Sequence, residues 1–268
     1  MAVGTARVCI GGVFMEMMNA PKAVVMDLDG TLLRSDGTVS RRTLAALARC
    51  REMGIITIIA TARFWFRAQK LVSIIAPDYA VLADGTQIYQ GEKLDIGFPM
   101  DRPQSDAIIS ELAAMPEGDF VVSTGKTLLC SKPGIDEPWR KTYDFTAGVG
   151  QPVYKIAAVF DTPEEANELA ARNSCRIYSY RGENLYGFTS TSAGKYQAVC
   201  ALAQQLGIMT QDIIAFGDDE NDLDILKLCG TGVAMGNAVA SVRAAADSVT
   251  AANDEDGVAA FLEQFVLK

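Results

Sequence analysis

The stretch that most constrains the fold is Val24-Val25-Met26-Asp27-Leu28-Asp29-Gly30-Thr31. A short apolar run reads as a buried strand. This one ends at once in two carboxylates, a glycine and a hydroxyl. In an open parallel sheet the ligand crevice lies at the carboxyl ends of the strands. Gly30 permits a sharp turn there. The pair offers one acid as a nucleophile and a second, two residues on, as a proton donor. The competing reading of the same residues is an Asp-Gly turn with capping acids.

The pattern repeats along the chain. Ile55-Ile56-Thr57-Ile58-Ile59-Ala60 ends in Thr61-Ala62-Arg63, and Tyr79-Ala80-Val81-Leu82-Ala83 ends in Asp84-Gly85. Helical runs over 41–53 and 64–75 separate these strands. Gly54 is a C-terminal stop for the first and Pro77 lies just past the second. Strand, helix, strand, helix, strand implies βαβ units and a mostly parallel sheet. The same grammar returns late. A helix over 195–206 is stopped by Gly207, and the strand Ile213-Ile214-Ala215-Phe216 ends in Gly217-Asp218-Asp219-Glu220-Asn221-Asp222. A strand at 231–235, an alanine-rich helix, Val249 as a last strand and a helix over 257–266 follow.

Between these two parts the grammar is antiparallel α+β. A polar hairpin over 87–99, a helix over 103–115, and two short strands flanking Thr124-Gly125-Lys126 come first. An irregular stretch over 133–150, a strand over 153–160, a helix and a closing strand pair complete it. Thr162-Pro163-Glu164-Glu165 opens that helix as a capping box with proline at its first position. The expected architecture is therefore α/β. A Rossmann-like, mostly parallel core spans 21–85 and 188–268, and 86–187 forms a second α+β domain inserted into it. Residues 1–20 are an N-terminal extension open to disorder. The run 7–15 faintly resembles a signal core, but Glu16 follows it and no cleavage site is evident.

Composition narrows the chemistry. The 268 residues contain no histidine, which excludes a Ser-His triad, a His base and His-ligated zinc. The six cysteines are scattered without a Cys-x-x-Cys pair, so free thiols in a reducing cytosol are expected, and structural zinc is not. A net charge of −9 disfavours nucleic acid and an anionic membrane surface as partners. No apolar run reaches transmembrane length. A phosphate ester in such an acidic protein needs local neutralisation by a metal or by placed cations.

Four groups carry that chemistry: Asp27 with Asp29, Thr61 and the run from Asp218 to Asp222 at strand ends, and Lys195 at the start of a helix. Thr61 is either a phosphoryl contact or the N-cap of the next helix. Lys195 stands at a helix N-terminus, where the dipole mildly disfavours it. The acids of 218–222 crowd together at a cost unless a cation sits among them or the run is solvated. Leu223 stands where an EF-hand loop needs glycine, so octahedral magnesium suits the cluster better than calcium of that type.

In this order and in these strand contexts the four motifs resemble those of the haloacid dehalogenase-like phosphotransferases, over about residues 21–268. The size of the insert and Asn253-Asp254-Glu255-Asp256-Gly257-Val258 resemble the Cof-type sugar-phosphatase branch with its type IIB cap. Ala62 stands where the family favours glycine. The resemblance implies a magnesium-dependent cytoplasmic phosphatase of small phosphorylated metabolites, sugar phosphates foremost. Asp27 would be the nucleophile and Asp29 the acid and base. Thr61, Ala62, Arg63, Lys195 and Asn221 would contact substrate. The metal would be held by Asp27, the Asp29 backbone carbonyl, Asp218 and Asp222. An acid at position 29, where the ATPase branch carries threonine, argues for release of the phosphoryl group to water. The stretches 132–140 and 178–184 either line the cap or are exposed loop. The alternatives are a phosphomutase of the same superfamily and a non-catalytic phosphometabolite-binding protein. Oligomeric state, monomer or dimer, is left open.

Overall fold

The computed structural model describes residues 7–10, 13–16, 20–115, 118–134, 137–180 and 184–268. Two strands of the extension, β1 (Arg7–Ile10) and β2 (Val13–Glu16), pair as an antiparallel hairpin. The rest of 1–19, with Cys9 as a side chain, lies outside the described residues.

The first part of the core runs β3 (Ala23–Met26), α1 (Arg41–Glu52), β4 (Ile56–Ala60), α2 (Trp65–Ile75), β5 (Tyr79–Leu82), β6 (Gln87–Gln90) and β7 (Lys93–Gly97). The inserted part runs α3 (Arg102–Ala114), β8 (Phe120–Ser123), β9 (Leu128–Cys130), β10 (Arg140–Thr142), β11 (Lys155–Val159), α4 (Pro163–Arg172), β12 (Arg176–Ser179) and β13 (Leu185–Thr189). The chain then completes the core with α5 (Lys195–Leu206), β14 (Ile213–Gly217), α6 (Leu223–Leu228), β15 (Thr231–Ala234), α7 (Ala240–Ala245), β16 (Ser248–Val249) and α8 (Gly257–Phe265).

Helix boundaries follow the local chemistry. Ser40 caps α1 by accepting from the Thr43 backbone N–H at 3.0 Å. Thr162 caps α4, whose first residue is Pro163. Gly207 ends α5 in the left-handed region.

The large sheet has the order β16-β15-β14-β3-β4-β5-β6-β7. Its first six strands are parallel. Chain order runs outward from β3 through β4 and β5 on one side, and through β14, β15 and β16 on the other. The reversal falls between β3 and β14, which leaves a crevice beyond the carboxyl ends of those two strands. Their side chains are fully buried, as near-continuous apolar runs in a covered parallel sheet should be.

The hairpin expected in the inserted domain belongs to the large sheet. β6 pairs antiparallel with β5, with Leu82 opposite Gln87, and β7 follows at the edge. The large sheet therefore continues past the boundary expected at residue 86, as far as Gly97. The reason is the tight reversal at Ala83-Asp84-Gly85, which folds β6 back onto its predecessor instead of sending the chain away.

The second sheet, β10-β9-β8-β11-β13-β12, is antiparallel except for the pair β9 and β10. β10 lies inside the stretch expected to be irregular. Its three residues recruit β9 through backbone pairing that side-chain pattern does not report. Each sheet has its own apolar core. Met26, Ile58, Val81 and Phe216 belong to one; Ile108, Phe120, Ile156 and Phe188 belong to the other. Among the described residues Cys50, Cys130, Cys175, Cys200 and Cys229 are free thiols, and no helix is long and apolar enough to cross a membrane.

Candidate active site

The strand register builds the site. Met26 ends β3 beside Ile59 of β4 and Phe216 of β14. Asp27, Thr61 and Asp218 therefore emerge from neighbouring strands at one end of the sheet. The Asp27 backbone N–H donates to the Phe216 carbonyl at 3.1 Å, which carries the sheet pairing one residue past the strand.

Lys195 opens α5 and is 4% exposed. Its ammonium donates to Asp27 Oδ1 and to Asp222 Oδ1, both at 2.6 Å. Burial works against that charge, but the facing Asp222 and Asp27 carboxylates outweigh it and raise the lysine pKa. Asp27 is also buried, and desolvation raises its pKa well above the ordinary aspartate value despite the attraction of Lys195. Burial likewise pushes Asp218 up to about 6, against the hydrogen bond that it accepts from Thr31.

Asp222 organises the loop. Its Oδ2 accepts from the backbone N–H groups of Asp218 at 3.0 Å and Asp219 at 3.2 Å, and the residue is fully buried. Gly30 has φ +79, and a Cβ there would stand 2.3 Å from Asp218 Oδ2. Only glycine satisfies both the backbone angle and this approach. Asp27, Asp218 and Asp222 each bring an oxygen within 4.8 Å of the others. Three buried or half-buried carboxylates face one lysine, so the cluster carries excess negative charge that a hard cation with oxygen ligands would offset. The arrangement can hold a metal ion.

The other expected residues divide. Asp29 turns its side chain away from the cluster toward Arg63, which donates from Nη2 to Oδ1 at 2.6 Å and from Nε to Oδ2 at 2.8 Å. The Asp29 hydrogen bond raises the Arg63 pKa further. Thr61 is 1% exposed, and its Oγ1 accepts from the Arg63 backbone N–H at 3.2 Å. It is not the cap of the next helix, because α2 starts four residues later with Phe64 at its N-cap position. Ala62 turns its carbonyl toward Lys155 of β11. Asn221 is exposed on the 3-10 turn Glu220–Asp222 and makes no hydrogen bond to the cluster among the described residues. Its expected substrate contact does not follow from this geometry.

Sequence reasoning left several groups out of the expected site. Thr31 Oγ1 donates to Asp218 Oδ1 at 2.8 Å. Asn237 Nδ2 donates to the Gly30 carbonyl at 2.8 Å. Thr31 was visible as the hydroxyl that ends the first motif; Asn237, just after β15, carried the same strand-end signal. Of the stretches expected at the cap, Trp139 stacks on Phe66 with ring centroids 3.7 Å apart. Tyr180 donates to Asp84 Oδ2 at 2.7 Å. Residues 135–136 and 181–183 lie outside the described ones.

A family model for haloacid dehalogenase-like hydrolases matches residues 24–262. The chain belongs to that family. A 5-amino-6-(5-phospho-D-ribitylamino)uracil phosphatase of Bacillus subtilis is 28% identical over 281 residues, covering 91% of this chain and 98% of its own. A haloacid dehalogenase-like hydrolase of Bacteroides thetaiotaomicron superposes with a TM-score of 0.78 at 26% identity, covering 91% of this chain and 99% of its own. A subclass IIB sugar phosphatase shares the fold, with a TM-score of 0.78 at 23% identity, over 92% of this chain and all of its own. The α/β architecture expected from the sequence agrees with these likenesses.

Proposed function

We propose that the protein hydrolyses phosphomonoesters of small metabolites through an aspartyl-phosphate on Asp27. The observation that carries this reading is the Lys195 ammonium bridging Asp27 and Asp222, 2.6 Å from each. It fixes Asp27 at the crevice floor and supplies positive charge beside the incoming phosphoryl group.

A carboxylate oxygen of Asp27 attacks phosphorus in line, and the bond from phosphorus to the ester oxygen breaks. Asp29 protonates the departing alcohol. It then takes a proton from water, whose oxygen attacks phosphorus, and the bond to Asp27 breaks to release phosphate. Both Asp29 oxygens accept from Arg63 in the resting site, so the proton transfers require Asp29 to leave that fork. Lys195 offsets charge on the phosphoryl oxygens, and the Thr61 hydroxyl donates to one of them. Asp27, the Asp29 backbone carbonyl and Asp218 would hold magnesium, with Asp222 behind them. When bound, it would supply further charge neutralisation at the phosphoryl group.

The substrate class is a small phosphorylated metabolite with a hydroxyl leaving group. The named activity of the Bacillus relative supports a phosphorylated polyol chain, which is close in chemistry to the sugar phosphates that the sequence suggests. The test is phosphate release from a panel of sugar, polyol and nucleotide monophosphates, with magnesium and with a chelator. Magnesium-dependent release is expected, with rank order naming the substrate. No release from any ester, or release that needs a bisphosphate activator, overturns the hydrolase reading in favour of binding or mutase function.

A further inference from the structure

Lys155 begins β11 of the second sheet and is 2% exposed. A buried ammonium needs partners. They come from the large sheet. Lys155 Nζ lies 2.5 Å from Asp84 Oδ2 and 3.3 Å from the Ala62 carbonyl oxygen. The ring faces of Phe64 and Tyr180 flank it, with centroids at 4.6 and 4.8 Å. Asp84 is 1% exposed and stands two residues past the end of β5.

The surroundings join the two sheets to the site. Asp84 and Gly85 stand where the chain leaves the parallel strands, and Gly194 stands where it returns, one residue before Lys195. A Cβ on Gly85 would meet the Gly194 carbonyl carbon at 2.2 Å, so the two passes touch backbone to backbone. Lys155 is thus anchored beside the crossing and reaches sideways to the strand-end loop Thr61-Ala62-Arg63.

That reach acts through a rigid unit. The Ala62 carbonyl and the Arg63 N–H belong to one planar peptide. Lys155 donates to its oxygen, and the N–H of the same peptide donates to Thr61 Oγ1 at 3.2 Å. Fixing the carbonyl fixes the plane, and fixing the plane fixes the hydrogen bond that orients the Thr61 hydroxyl.

We propose that Lys155 is a positioning residue for phosphate ester hydrolysis: seated on Asp84, it holds the Ala62–Arg63 peptide and so aims Thr61 at the phosphoryl group only while the second sheet is closed on the first. The proposal rests on the phosphatase reading and on the role of Thr61 in it. Substrate enclosure and phosphoryl contact are then one event, made through Lys155 and not through any contact with the leaving group.

The test separates this from mere fastening of the two sheets. Lys155→Met alone strands a buried Asp84 carboxylate and is expected to fold poorly. The double variant Lys155→Met with Asp84→Asn removes both charges and keeps similar volumes. Inorganic phosphate, which has no leaving group, is the probe, as a competitive inhibitor of p-nitrophenyl phosphate hydrolysis. In the double variant kcat is expected to fall roughly 10- to 100-fold, with inhibition by phosphate weakened by a comparable factor. If KM for larger esters rises while kcat and phosphate inhibition stay at wild-type values, Lys155 only fastens the sheets and the proposal is overturned. Absence of phosphate release by the wild-type protein overturns instead the phosphatase reading on which it rests.

Discussion

Arg63 grips Asp29 with two nitrogens, at 2.6 and 2.8 Å, on a pair that is half open to solvent. Open pairs of this kind contribute about 0–1 kcal/mol to stability. Arg63→Ala should therefore leave the denaturation midpoint nearly unchanged. Asp29→Asn should lower kcat by roughly 10²- to 10⁴-fold, the usual contribution of a positioned acid and base. Equal kinetic losses in the two variants would mean that Arg63 itself acts on the substrate.

Lys195 is the cation of the buried cluster. Lys195→Met leaves Asp27 and Asp222 facing each other without it. Breaking a buried ion pair costs about 3–5 kcal/mol. A urea titration without metal should show a loss of that size. Added magnesium should recover part of it, because binding to the folded state alone stabilises by mass action. Activity should not recover, since the phosphoryl group would still lack its lysine.

Thr31 donates to Asp218 across 187 positions of sequence. Thr31→Val keeps the shape and removes the hydroxyl. The fold should survive, while the metal activation curve moves to roughly 10- to 100-fold higher magnesium, as for other residues that orient a metal ligand. Activation at unchanged magnesium concentration would show that Thr31 only ties the loop.

The legible part of this molecule is whatever a strand end records locally. Asp27, Thr61 and Asp218 each follow a largely apolar strand run, so their convergence could be derived once parallel strands were inferred. Lys195 was legible as an odd choice for a helix start. The hairpin β6–β7 was legible as a hairpin, but its place in the large sheet was not, because Gln87 and Gln90 look like a solvent-facing ribbon, and only pairing with β5 buries Gln87, Ile88 and Tyr89. Lys155 was hidden for a similar reason. In the run Val153-Tyr154-Lys155-Ile156 it looks like an edge lysine, and the Asp84 that buries it lies 71 positions earlier. Asp29 was legible as a motif acid, but its fork to Arg63 depends on how the 28–33 turn bends, which no periodicity encodes.

The central claim is that Asp27 carries the phosphoryl group. The direct measurement uses Asp29→Asn, which should form the intermediate from p-nitrophenyl phosphate, whose leaving group needs little protonation, and hydrolyse it slowly. After acid quenching and proteolysis, mass spectrometry should find one phosphoryl group on the peptide containing Asp27, and none when Asp27→Asn is added. Phosphoryl label on another peptide, or undiminished phosphate release by Asp27→Asn alone, would contradict the account.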